Sequence, residues 1–310
     1  MRLLFTFLML TSCGSSHSDD ATITPTGWVL LLKEKYAALL KIENEARAFG
    51  KWEEGCDWLL FAGLTGSVEG ASVPSIKDAE IEPGKWLRRP VSKGDCFPLE
   101  SKSQISKDMF LGVFWYAYAR KDLAMLERIA EYAKAHNNVM GEPFPEQSGR
   151  VVILPQLPLL YSLIYSLGGQ DNPTRKLFPH EFPADGGFGA HLQVLAITLR
   201  AKVESIPESS YNVLQKHAER EPDNAMFCAA TVGFGADPER CANLLLDKRT
   251  WPDDRLPTRG DHCEFWPYQR DKGADWEPCD PKDEQLSVGG FLFVADQLLR
   301  RVTYAISDVR

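Results

Sequence analysis

The sequence predicts an all-α fold, an α/α barrel or partial toroid of about five to six helical hairpins with disulfide-stapled loops. Three observations predict it. Apolar residues recur at helical spacing along nearly the whole chain, and alternating strand patterns are almost absent. Helices apolar all round tend to alternate with amphipathic ones, as buried inner and half-wet outer helices would. Finally, each apolar helix opens with a polar side chain: Asp57, Asp108, Gln156, and His191 with Gln193. Inner-helix N-termini gathered at one end would make that end polar and positive, suited to oxygen-rich ligands.

In chain order, Trp28, Leu31, Leu32, Tyr36, Leu39 and Leu40 mark one face of a first helix ending near Gly50. A second runs from about Asp57 to Leu64. A third begins at Ser106, a favourable N-cap residue, and is apolar on nearly every side through Met109, Phe110, Leu111, Val113, Phe114, Trp115, Tyr116 and Tyr118. Lys121-Asp122 interrupts the pattern before an amphipathic helix from Leu123 to His136. Pro155 to Leu167 reads as another apolar helix, stopped by Gly168-Gly169. Further helical runs cover Gly189 to Glu204, Ser209 to Arg220, Asn224 to Val232, Pro238 to Asp247 and Glu284 to Ile306. Arg150 to Leu154 is the one plausible strand, and no fixed-period repeat is visible.

Composition narrows the function. The 310 residues are 44% hydrophobic and 25% charged, enough apolar material for a sizeable core. Lys plus Arg number 35 against 43 Asp plus Glu, a formal charge of −8 without any basic run. Such a chain is poorly suited to gripping nucleic acid or an anionic membrane surface. No apolar stretch beyond the first ten residues approaches the ~20 needed to span a bilayer.

The N-terminus reads as an address. Arg2 precedes an apolar run from Leu3 to Leu10, followed by Thr11, Ser12, Cys13, Gly14, Ser15 and Ser16. The segment Leu10-Thr11-Ser12-Cys13 resembles the lipobox of bacterial lipoproteins. That resemblance implies cleavage before Cys13, lipidation of Cys13, and a place in the bacterial cell envelope. Gly14 after the cysteine is similar to the outer-membrane or cell-surface sorting pattern. Residues 1–12 would be the signal peptide, 13–26 a tether and 27–310 a single all-α domain, touching the membrane only through the lipid anchor. An ordinary secretory signal that happens to contain a cysteine is the alternative.

With Cys13 set aside, six cysteines remain: Cys56, Cys96, Cys228, Cys241, Cys263 and Cys279. An even number in an exported chain suggests disulfides. Loop-closure cost favours near neighbours, which points to Cys56–Cys96, Cys228–Cys241 and Cys263–Cys279. No C-x-x-C spacing suggests zinc, and neither a metal nor a cofactor is expected. His180-Glu181 lacks the second histidine of a zincin, Gly233-Phe234-Gly235 lacks a third glycine, and no Walker loop or G-x-S-x-G elbow occurs.

Carboxylates remain as the candidate catalytic groups. Asp108 occupies the start of the third helix, where it either serves the helix dipole or stands at the mouth of the barrel. Asp57, at the start of the second, is its candidate partner; Trp52 and Trp58 flank it as core or as a sugar platform. Glu142, constrained between Gly141 and Pro143, is a third candidate or an ordinary turn residue. Arg88 and Arg89 beside Trp86 suggest carboxylate or glycan contacts, or a solvated charge pair. The segment Arg259 to Asp280 carries Asp261, His262, Glu264, Trp266 and Trp276 between two cysteines. It reads as a binding loop, or as a stapled cover with its aromatics turned inward. His191 is a candidate base for lyase chemistry.

The alternation of apolar and amphipathic helices over roughly residues 50 to 300 resembles the α/α-toroid carbohydrate-active proteins, which include glycoside hydrolases and polysaccharide lyases. That resemblance implies an envelope lipoprotein enzyme cleaving a polysaccharide or peptidoglycan with a carboxylate pair. The alternative is a non-catalytic lipoprotein that binds a glycan or a protein partner.

Overall fold

Where a stretch is apolar on every side it needs neighbours on every side, and the helices obey this. The computed structural model describes residues 27–48, 58–73, 76–93, 105–141, 151–153, 156–176, 187–247 and 289–307. Ten α-helices lie among these described residues: α1 (Gly27–Ala48), α2 (Trp58–Gly66), α3 (Lys107–Ala119), α4 (Leu123–Ala135), α5 (Leu157–Ser166), α6 (Gly187–Arg200), α7 (Glu208–Arg220), α8 (Ala225–Thr231), α9 (Pro238–Leu246) and α10 (Gly289–Ser307). The helices fall where the apolar spacing predicts them, within a few residues at each end.

Every residue of α2 and of α8 is buried, and α3 buries Met109 through Trp115 together with Ala117. By contrast α7 buries Leu214 and His217 alone, and α9 buries Cys241, Ala242 and Leu245. Buried and half-wet helices thus alternate from α7 to α9, whereas α2 and α3 are buried in succession, against the expected alternation. From α2 to α3 and onward to α10, each helix packs on its successor in sequence. The last helix, α10, also returns to pack on both α1 and α2, and α1 packs on α9. Inside this circuit α3 and α8 each reach α6, and α8 reaches α10. Trp115 of α3 meets Phe293 of α10 edge to face, ring centres 4.9 Å apart.

Two short hairpins interrupt the helices. β1 (Glu80–Glu82) pairs antiparallel with β2 (Lys85–Trp86), and β3 (Val139–Gly141) with β4 (Val151–Val152). The strand expected over Arg150–Leu154 is thus present but shorter. The first hairpin departs from the sequence expectation: Gly84 to Pro90 reads as a loop, yet Gly84 turns with φ +77° and sends Trp86 fully into the core. A Cβ at Gly84 would lie 2.1 Å from the carbonyl oxygen of Arg128, so this turn seats on the backbone of α4. Glu80 completes the junction, accepting from Gly84 N at 2.8 Å and from both Nε and Nη2 of Arg128 at 2.8 and 2.5 Å.

Caps follow the sequence in part. Asp122 caps α4 by accepting from Met125 N, Asp237 caps α9 through Glu239 N, and Asn224 caps α8 through Met226 N and Phe227 N. Ser106 is the exception. It holds the N-cap position of α3 with extended backbone, but its hydroxyl makes no capping hydrogen bond. Cys228 and Cys241 form the expected disulfide, joining α8 to α9 with their Cα atoms 5.4 Å apart. Cys13, Cys56, Cys96, Cys263 and Cys279 lie outside the described residues.

Candidate functional site

The hairpin that buries Trp86 also delivers Arg88. Its carbonyl oxygen accepts from Leu59 N at 2.9 Å, serving one of the amide groups that the first turn of α2 leaves without an intrahelical partner. Its guanidinium, on a residue only 3% exposed, donates from Nη2 to Ser106 Oγ at 2.8 Å. The Ser106 hydroxyl in turn donates to Asp108 Oδ1 in a short contact. Arg88 therefore ties the N-terminal ends of α2 and α3 together, and Ser106 forgoes capping because its proton goes to Asp108 and its lone pair to Arg88. Arg89, the next residue, is half-buried. Trp58, one of the two possible sugar platforms, is a core residue.

A second polar group sits at the start of α8. Asn224 Oδ1 caps that helix, while its Nδ2 donates to Glu221 Oε2 at 2.9 Å and lies 3.3 Å from Nε2 of His191, which is fully buried on α6. An amide nitrogen can only donate, so His191 Nε2 is the acceptor of this contact. The ring of Phe227 separates His191 from His217, with ring centres at 4.8 and 5.5 Å. His217 meets Gln193 Oε1 at 2.9 Å, and burial pushes its pKa down, aided by Arg220 and Lys216. At the N-cap position of α5 the side chain of Gln156 is wholly buried, and neither its amide oxygen nor its nitrogen has a hydrogen-bond partner among the described residues.

Of the candidates named from the sequence, Arg88 and Asp108 are brought together, and His191 is placed with Asn224. Asp57, Glu142, Asp261, His262, Glu264, Trp266 and Trp276 lie outside the described residues. Among the described residues no group of three His, Cys, Asp or Glu side chains is placed to hold a metal ion. No described helix is long and apolar enough to cross a membrane.

A further charged group escaped the sequence reading. Asp296, 6% exposed on α10, accepts from Arg300 Nε at 2.8 Å, and Arg300 Nη2 reaches Glu69 Oε2 at 3.2 Å. Burial raises the Asp296 carboxyl above its ordinary value, against the opposing pull of Arg300. Tyr36 on α1, which donates to the carbonyl of Glu69, is raised by burial and by Asp296. Lys202, just past α6, sets its ammonium 5.5 Å from the Trp115 ring centre. The residue keeps exposed surface, yet desolvation of the ammonium and the nearby Arg301 push its pKa down to about 8. An Asp-Gln pair inside the apolar run Phe291 to Leu299 was the available signal.

Comparison with protein-family models, with characterised proteins and with solved structures finds no match to the chain.

Proposed function

We propose that this chain is a lipoprotein of the bacterial cell envelope, lipidated at Cys13, that cleaves a glycan at the end of an α/α barrel or partial toroid where helix N-termini gather. The linkage Arg88–Ser106–Asp108 supports this reading more than any other observation, because it joins a buried cation and a helix-start carboxylate across two neighbouring helix starts. Asp57 directly precedes α2 in sequence, which makes Asp57 and Asp108 the acid–base or acid–nucleophile pair of the proposal, with Glu142 in reserve. Arg88 supplies fixed positive charge for an oxygen-rich or carboxylated sugar, and the positive ends of α2 and α3 add to it. The succession of packed helices from α2 to α10, with α10 returning to α2, supports this reading.

The experiment is incubation of the oxidised, full-length protein with peptidoglycan and a panel of bacterial and algal polysaccharides, read by mass spectrometry for new chain ends. Saturated ends identify a hydrolase and unsaturated ends a lyase. Asp108→Asn is expected to abolish product while leaving the melting temperature nearly unchanged. Polymer retained without product would replace the enzyme by a glycan-binding lipoprotein, and neither product nor retention would end the glycan reading.

A further inference from the structure

The first helix turns two leucines outward. In α1, Trp28, Val29, Leu32 and Leu39 are buried and fix the inner face, which leaves Leu30 and Leu31 50% and 56% exposed. The same rotation carries Lys35 inward to 8% exposure, its ammonium 5.6 Å from the centre of the Phe291 ring on α10. Water disfavours this exchange on both counts, since apolar surface stays wet and a cation is withdrawn from solvent. The other exposed large hydrophobics among the described residues, Ile81, Val91, Tyr165 and Phe234, stand singly in sequence. Single exposed apolar side chains are ordinary, whereas an adjacent pair on one helix makes a continuous patch.

Beyond this pair the outer face of α1 becomes polar. Lys33, Glu34, Lys41 and Glu45 are exposed along it, and Lys41 meets Glu45 at 3.9 Å. These charges balance, so the face neither attracts nor repels an anionic surface strongly. The apolar patch is confined to the start of α1, the end that residues 13–26 join to Cys13. Even fully extended, a segment of that length reaches about 50 Å. Lipid on Cys13 would therefore keep Leu30 and Leu31 within that distance of the bilayer.

We propose that Leu30 and Leu31 seat the start of α1 in the lipid surface that holds the acyl chains of Cys13. This inference rests on the lipid-anchor reading above and is independent of the glycan reading. The sequence pattern points to the anchor as the one membrane contact; the outward turn of Leu31, which spacing places on the inner face, adds a second. Both leucines enter the boundary between head groups and acyl chains, with Lys33 at the level of the phosphates beside them. Glu34, one turn further on, stops deeper insertion. Two leucines alone hold a bilayer weakly, and the anchor supplies the local concentration that makes their contact persist. The contact orients α1 on the membrane, and with it α9 and α10, on which α1 packs.

The test uses the lipidated protein in vesicles of phosphatidylethanolamine and phosphatidylglycerol and, one copy per disc, in nanodiscs of the same lipids. A water-soluble acetylating reagent compares Lys33 with Lys41, about two turns further along the exposed face, and mass spectrometry reads both. Replacing both leucines, Leu30→Gln with Leu31→Gln, is expected to raise acetylation of Lys33 relative to Lys41 about threefold or more in both preparations. Because both side chains are exposed, the paired substitution is expected to leave the melting temperature nearly unchanged, which shows that α1 remains folded. A Lys33 to Lys41 ratio that does not respond in acylated, folded protein would overturn the proposal. A response in vesicles that is absent from single-copy nanodiscs would put a second copy of this chain in place of lipid. Peptide masses without acyl chains on Cys13 would instead end the lipid-anchor reading and this inference with it.

Discussion

Gly63 of α2 and Gly112 of α3 meet backbone to backbone. A Cβ on Gly63 would stand 2.3 Å from both the carbonyl carbon and oxygen of Gly112, and a Cβ on Gly112 would stand 2.4 Å from the carbonyl oxygen of Leu60. No real Cβ tolerates such distances, so neither position accepts a side chain without separating the helices. The close approach lets two largely apolar helices exclude water along their shared face.

Gly112→Ala is therefore expected to destabilise the fold by about 2–3 kcal/mol or more, and Gly63→Ala by a similar amount. Gly27, where an added methyl group would meet nothing within 4 Å, is the control. Gly27→Ala should change stability by no more than ~0.5 kcal/mol. Urea unfolding midpoints check both, and an unchanged midpoint for Gly112→Ala would contradict the packing described above.

Asn224 does two jobs that substitution can separate. Its Oδ1 caps α8, and its Nδ2 faces Glu221 and His191. Asn224→Ala loses both and should cost about 1–3 kcal/mol. Asn224→Asp keeps the cap but removes the donor and adds a negative charge beside Glu221. Thermal denaturation is expected to rank the wild type above both variants. An Asp variant as stable as wild type would show that the contact to His191 contributes nothing.

The Cys228–Cys241 bridge closes a short segment between two buried positions. Replacing both cysteines by alanine is expected to lower stability by about 2–4 kcal/mol. Under native conditions dithiothreitol should leave this bridge intact, because both cysteines are buried, and should cleave it once urea unfolds the chain. Mass spectrometry after alkylation, with and without denaturant, distinguishes the two states.

Stability should also depend on pH through His217. Burial lowers its pKa, with Arg220 and Lys216 adding to the effect, so the folded protein holds the ring neutral where the unfolded chain would already be protonated. The unfolded state then binds more protons just below the ordinary histidine value of 6.5, and stability rises with pH through that window and is lost as pH falls below it. Comparing urea midpoints at about pH 5.5 and about pH 7.5 tests this, with His217→Gln expected to flatten the difference.

What could be read from the chain and what could not divide along a physical line. Met109 through Trp115 are apolar on every side, so burial of α3 on all sides follows from the residues alone. The amphipathic spacing of Met125, Leu126, Ile129, Ala130 and Ala133 likewise gives α4 and its inner face. Pairing of Cys228 with Cys241 follows from chain proximity. These are local properties, carried by periodicity, capping chemistry and loop length.

Ser106 shows where locality ends. A serine before an apolar helix reads as a cap, but the hairpin at residues 80–86 brings Arg88 to it, and the hydroxyl bridges Arg88 and Asp108 instead. A small space between α6, α8 and α10 goes further, since Thr198 and the pair Gln297 and Arg301 have no sequence proximity that could reveal their meeting. Sequence by itself determined which segments are helical and most of their apolar faces, although Leu31, expected on the inner face of α1, is exposed while Lys35 is buried. Only tertiary packing decided which polar side chains share a space, because a hydrogen bond or an empty volume depends on separations of a few ångströms between residues far apart along the chain.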